Sequence, residues 1–295
     1  MKSLQSVAAW SHKRCQDEGR VGKKIMNRTS QRNSTKVLLF LLVFTVFVFI
    51  VAFRLGNRAG LLTALAVLSV VYVLAFYLAP TFLEDLFSVS PLDGHDAWKI
   101  NQYLTQIFFP LREQPPRVFM FDCDSVNAFV TSRPFHSPKI YISRALLERL
   151  DEKEVHAVLA VLSSRLMHQD GFKETLMSLI RQIIAGIGEH MDQLFRARIF
   201  SPIFAPLSRV LGKLLFSEKM MYRHDTWAAE IIGQKSLVAE TLRKLHAYSL
   251  TSPLRVPLGF EQDFIVTPDP LVKNYLPLHV SVEKRLVQLQ GIYPN

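Results

Sequence analysis

A chain of 295 residues has room for one good-sized domain plus extra segments. Its apolar share of 49% and positive mean hydropathy point to a membrane protein. The net charge of +10 is concentrated near the N-terminus: nine Lys and Arg face only Asp17 and Glu18 before Val37, Arg54 and Arg58 follow, and about one positive charge remains beyond Pro80. A basic tail beside a hydrophobic span is a topology signal, so the charge is not read as a nucleic-acid surface.

Residues 1–36 form that basic tail. Val37–Phe53 and Leu61–Ala79 carry no charge. At about 1.5 Å per residue each is long enough to cross a ~30 Å hydrocarbon core, the first only just. The link Arg54–Gly60 is too short for a domain, so residues 37–80 are predicted to form a transmembrane helical hairpin. The positive-inside rule then leaves the N-terminus and the main domain in the cytoplasm, at the cytoplasmic (inner) membrane.

Residues 81–295 have the composition of a folded domain. Asp93–Phe109 has helical periodicity, Arg117–Asp122 and Lys139–Ser143 read as short strands, and Asn127–Pro138 reads as the polar turn between them. A short helix follows over Ser143–Leu150. A long helix opens at Asp151 with Glu154 three residues on, a capping box. Val155, Val158, Leu159, Leu162 and Leu166 form its core stripe, and Val161, Arg165 and His168 a neighbouring face. Two apolar stretches, Leu176–Ile187 and Ile199–Phe216, hold too many charges and prolines for confident spans. Residues 174–216 are therefore read as an amphipathic helical insertion, interfacial or packed on the domain. Cys15 and Cys123 form no CxxC pair and read as free thiols in a reducing compartment.

Asp151–Asp170 (DEKEVHAVLAVLSSRLMHQD) is similar to the active-site helix of a membrane zinc peptidase. Around it stand Asn127-Ala128-Phe129, similar to an NAF substrate-edge signature; Pro138–Leu150 (PKIYISRALLERL); Ser217–Ala229 (SEKMMYRHDTWAA), similar to SRxREYxADxxAA; and His279–Leu286 (HVSVEKRL), similar to HPPxxxRI. In that order, with the apolar N-terminus, the chain resembles the HtpX-like membrane zinc metallopeptidases, a gluzincin family, over most of Leu38–Leu289. The resemblance implies an α+β, mainly helical fold: a transmembrane hairpin followed by a zincin-like domain with a small sheet.

The same resemblance identifies what is missing. A His-Glu-x-x-His helix presents two imidazoles one turn apart to Zn²⁺ and a Glu as general base. Here the first His position is Val161, the base Leu162, the second His Arg165 and the third ligand, a Glu in the family, Met221. No catalytic residue, metal ligand or cofactor is therefore expected, although the family would imply zinc. Asp225 matches the residue that in the family hydrogen-bonds a zinc-ligating His. Arg165 is expected to replace part of the metal's charge and pair with Asp225. No HxxxH pair supplies another metal site, although His224 could approach His168. Ser163 or Ser164 with His168 lacks the surroundings of a nucleophile.

The resulting expectation is a catalytically inactive, membrane-anchored metallopeptidase homologue that acts by binding, in membrane-protein quality control or as regulator of an active protease. In the family an extended peptide adds to a sheet edge, here at Asn127, Ala128 and Phe129. Expected partners are the lipid bilayer and unfolded membrane-protein segments or an active protease, with no nucleic acid. The alternatives are a metalloendopeptidase with residual activity through non-standard ligands, and a structural membrane scaffold.

Overall fold

The computed structural model describes residues 42–46, 48–70, 73, 84–92, 98–132, 137–168, 170–215, 218–256, 260–270 and 279–291. The basic tail, Cys15 and the second apolar span beyond Val73 lie outside the described residues. Helix α1 (Leu42–Val70) is long and apolar enough to cross a membrane, and its apolar window buries nothing against the rest of the protein. Helical backbone also runs through Arg54–Gly60, where the sequence predicts a plain link. Two features break its course there. Asn57 adopts a left-handed φ of 54°. Gly60 lies against the backbone carbonyl of Ala52, where any Cβ would collide. Eight residues of straight helix would separate those two positions by about 12 Å.

The domain that follows is mainly helical around a four-stranded sheet of order β1-β2-β4-β3. Strand β1 (Ser90–Pro91) pairs antiparallel with β2 (Arg117–Phe121), β2 parallel with β4 (Lys139–Ser143), and β4 antiparallel with β3 (Ala128–Thr131). The expected polar turn Asn127–Pro138 thus contains a strand, and that strand is buried at every position. Period-two alternation divides the sheet's two faces. Val118, Ala128, Val130, Ile140 and Ile142 join the main core, whereas Phe121, Phe129 and Tyr141 form an aromatic cluster with Phe260 and Phe264.

Helix α2 (Ile100–Phe108) precedes the sheet and α3 (Arg144–Arg149) follows β4, capped by the Ser143 hydroxyl. Helix α4 (Glu152–Met167) starts as predicted: Asp151 Oδ1 accepts from the Glu154 N–H at 2.8 Å, and Glu154 Oε2 from the Asp151 N–H at 3.0 Å. It is buried almost all round, because β3, α2, α5 (Asp170–Phe195), α7 (Glu218–Ile232) and α8 (Lys235–Thr251) all pack on it. Helix α6 (Ser201–Leu215) packs along α5 where Gly188 lets Phe204 and Ser201 approach. Asp192 ties their connection by accepting from the amides of Ile199, Phe200 and Ser201. Helix α9 (Val282–Gln290) closes the domain against α7 and α8.

Candidate functional site

Val161, Leu162 and Arg165 sit side by side on α4, and Met221 on the adjoining α7; all four are buried. Val161 and Leu162 are hydrocarbon, Arg165 presents a guanidinium of N–H donors with no acceptor to offer a metal, and the Met221 thioether is a soft, weak donor. This set does not fit Zn²⁺, which takes imidazole, thiolate or carboxylate ligands. Among the described residues no group of three or more His, Cys, Asp and Glu is placed to hold a metal ion.

The guanidinium of Arg165 is 1% exposed and takes a different set of partners from the expected one. Its Nη1 donates to the Asp263 carbonyl at 2.8 Å and more weakly to Gln262 at 3.4 Å, and its Nη2 to the Phe264 carbonyl at 3.1 Å. The carboxylate of Glu174, buried on α5, stands 3.5 Å away. Asp225 is engaged elsewhere: Arg285 on α9 holds it bidentately at 2.7 and 2.6 Å, both side chains 1% exposed. The expected Arg165–Asp225 pair is therefore not formed. A fork-shaped guanidinium from α9 matches the carboxylate's two oxygens, while the carbonyls of 262–264 and Glu174 engage the terminal nitrogens of Arg165 and leave its Nε without a hydrogen bond.

Asn127 is locked in place. Its backbone N–H donates to the Ser143 hydroxyl at 3.2 Å, and its carbonyl accepts from the Ser143 N–H at 3.1 Å. Its side-chain Nδ2 donates to the Val266 carbonyl at 3.0 Å. The neighbouring Ala128 carbonyl accepts from the Ile265 N–H at 3.0 Å, and Phe129 faces Phe264 in an antiparallel bridge. So the edge expected to receive a peptide from outside, Asn127, Ala128 and Phe129, is covered by the chain's own residues.

The two histidines do approach across α4 and α7, with ring centroids 5.5 Å apart. His224 Nδ1 lies 3.0 Å from the Ser164 hydroxyl, and His168 Nδ1 lies 2.6 Å from the Ser164 carbonyl. Burial first, then the Arg165 charge, holds His224 well below the ordinary imidazole range. His279 Nε2 meets the Phe264 carbonyl at 3.0 Å; burial, with Arg165 and Arg285 nearby, pushes its pKa down to about 3, so it donates there as a neutral ring. Burial pushes Asp263 up to about 7, against the Ser178 hydroxyl and the charges of Arg181 and Arg165.

Three participants are absent from the sequence reading: Glu174, Arg285 in its pairing role, and the segment Phe260–Val266. Arg285 lay within the HPPxxxRI-like match. The segment's signal was Phe264-Ile265-Val266, a β-prone run just before Pro268 and Pro270.

A buried central helix, an edge strand carrying Asn-Ala-Phe, and a second helix crossing at the third-ligand position together define a metallopeptidase-type scaffold. The model of Peptidase family M48 matches residues 98–293, and the chain belongs to that family. It is 25% identical over 280 residues to a protease HtpX homolog of Desulforapulum autotrophicum, covering 88% of this chain and 89% of that protein. It is 23% identical over 289 residues to protease HtpX of Legionella pneumophila strain Lens, covering 88% and 99%. The crystal structure of S. mikatae Ste24p overlaps 90% of this chain and 66% of its own, with a TM-score of 0.48 at 19% identity.

Proposed function

We propose that this protein is a catalytically inactive, membrane-anchored member of its peptidase family that works by binding, as a regulator of an active protease or in membrane-protein quality control. The observation that carries this reading is the set Val161, Leu162, Arg165 and Met221 at the ligand and base positions, with Arg165 committed to backbone carbonyls. Residual activity would need another donor set, and no observation favours one. The covered β3 edge favours partners that dock outside the cleft, which brings the scaffold reading close to the leading one.

Membrane attachment is proposed through residues 37–80 as a hairpin turning at 54–60, which the conformation of Asn57 and the approach of Gly60 to Ala52 support. The basic tail favours a cytoplasmic N-terminus and domain at the inner membrane. The turn between α5 and α6 exposes Leu194, Phe195, Ile199 and Ile203 beside Arg196 and Arg198, a combination suited to an anionic lipid surface.

The test is metal content by mass spectrometry on full-length, detergent-purified protein, with cleavage of casein followed with and without chelator. Substoichiometric zinc and no chelator-sensitive cleavage are expected. About one zinc per chain together with chelator-sensitive proteolysis would overturn the reading.

A further inference from the structure

Five consecutive carbonyls, from Gln262 to Val266, each meet a side-chain nitrogen held on another part of the fold. Arg165 on α4 serves Gln262, Asp263 and Phe264; His279 also serves Phe264; Arg285 on α9 reaches Ile265 at 2.6 Å; Asn127 reaches Val266. On the other side the segment runs against β3, through the Ile265 N–H to the Ala128 carbonyl and the Phe129–Phe264 bridge. Surface connections usually satisfy their carbonyls within a turn or with water. The segment opens with a 3-10 turn over Glu261–Asp263 and is extended at Phe264, where it meets β3. A backbone that meets a strand edge, with its carbonyls held by fixed donors and its side chains buried in the host, has the geometry of a bound peptide. Phe264 fills a pocket, its ring 5.1 Å from Phe129 and 5.8 Å from Phe87, and it is fully buried.

We infer that Phe260–Val266 is an internal peptide ligand that fills the chain's own β3-edge site, with Arg165 receiving its carbonyls from the position of a lost metal ligand. The site takes a peptide that enters through a 3-10 turn and becomes extended at an aromatic residue in the Phe264 position, followed by aliphatic residues. Arg165, Arg285, His279 and Asn127 recognise its backbone, and Ser178 recognises the acidic side chain one residue before the aromatic, through the 3.2 Å bond to Asp263. While the internal segment is seated, the site is closed to peptides in trans. The inference deepens the non-catalytic reading and rests on it for the role given to Arg165.

The probe is the synthetic heptapeptide FEQDFIV, the sequence of residues 260–266, carrying a fluorophore and read by anisotropy on full-length protein in detergent. Phe264→Ala weakens the internal ligand and leaves the site's donors in place. This variant should bind the peptide at least tenfold more tightly than the unsubstituted protein. The gain should vanish when Arg165→Met is added, or when the probe carries Ala in place of its second Phe. A folded Phe264→Ala protein that shows no gain, or a gain indifferent to either change, overturns the inference.

Hydrogen exchange on the unsubstituted protein gives a second test that needs no variant to fold. The Ile265 amide should exchange through an opening that leaves the β3–β4 amides protected. Exchange of Ile265 only together with those amides would make the segment ordinary core and overturn the proposal. Zinc measured in the same preparations separates the two readings. Zinc-free protein that fails the peptide and exchange tests overturns this inference alone, whereas one zinc per chain overturns the non-catalytic reading whatever the peptide does.

Discussion

Replacing Arg165 by Met keeps most of the side-chain volume and removes the guanidinium, so the cost isolates its charge and hydrogen bonds. Arg165 and Glu174 are 1% and 2% exposed at 3.5 Å, and removing one partner of a buried pair costs about 3–5 kcal/mol. The Asp263 carbonyl also loses its 2.8 Å donor, at about 1–3 kcal/mol, while Phe264 keeps His279. Methionine packing recovers part of this, so a net loss of about 4 kcal/mol is expected. At about 2–4 °C per kcal/mol for a domain of this size, the melting temperature should fall by about 10 °C. Pulse proteolysis in urea on detergent-solubilised protein reads the free energy without requiring reversible melting. A double-mutant cycle with Glu174→Gln should show coupling of about 1 kcal/mol or more, whereas one with Asp225→Asn should be additive within about 0.5 kcal/mol. A loss below about 1 kcal/mol, or coupling to Asp225 rather than Glu174, would refute the assigned geometry.

Arg285→Ala leaves Asp225 buried without its bidentate partner and frees the Ile265 carbonyl, so it should cost about 3–5 kcal/mol in the same assay, and Arg285→Lys should not restore the loss because an ammonium cannot reproduce the fork. The pH dependence has two opposed parts. His279, ordinarily near 6.5 and held at about 3, gives stability that is complete above pH 6.5 and lost as pH falls toward 3; Asp263, ordinarily near 3.8 and raised to about 7, gives stability that is complete below pH 3.8 and lost as pH rises toward 7. His279→Gln should therefore give a melting temperature that falls as pH rises from 4 to 7, and Asp263→Asn one that falls as pH drops below 6.5. Phe195→Trp, at the exposed tip beside Arg196 and Arg198, should be quenched by brominated lipid in reconstituted vesicles; emission unaffected by bromine would place that tip in water.

Local signals were legible because each is set by neighbours in sequence. Asp151 and Glu154 announce the start of α4, and the short β-prone runs Arg117–Asp122 and Lys139–Ser143 announce two strands. The order of the family-like segments placed α4 and α7 against each other. Partner choice was not legible. Arg165 and Arg285 are both plausible partners for Asp225, and only the three-dimensional course of residues 260–266 decides between them by giving Arg165 three carbonyls. Strand β3 was hidden because Asn127–Pro138 is rich in turn formers, while its burial comes from α4 on one face and Phe264 on the other. At Arg54–Gly60 the sequence predicts a plain link, whereas helical backbone runs through it.

The substitutions at the four positions make physical sense only as a set. The family resemblance implies a centre in which two carboxylates, the base and the third ligand, balance a doubly charged metal. Here both carboxylate positions are apolar, at Leu162 and Met221, and Arg165 carries one guanidinium 3.5 Å from one carboxylate, Glu174. A guanidinium beside a carboxylate is close to neutral as a pair, and in a buried site an unbalanced charge is costly. Glu introduced at position 162, fully buried among core aliphatics, would be a carboxylate without a balancing charge and should be strongly destabilising. The Arg165 guanidinium faces the backbone of 262–264, and that segment provides the carbonyls it donates to.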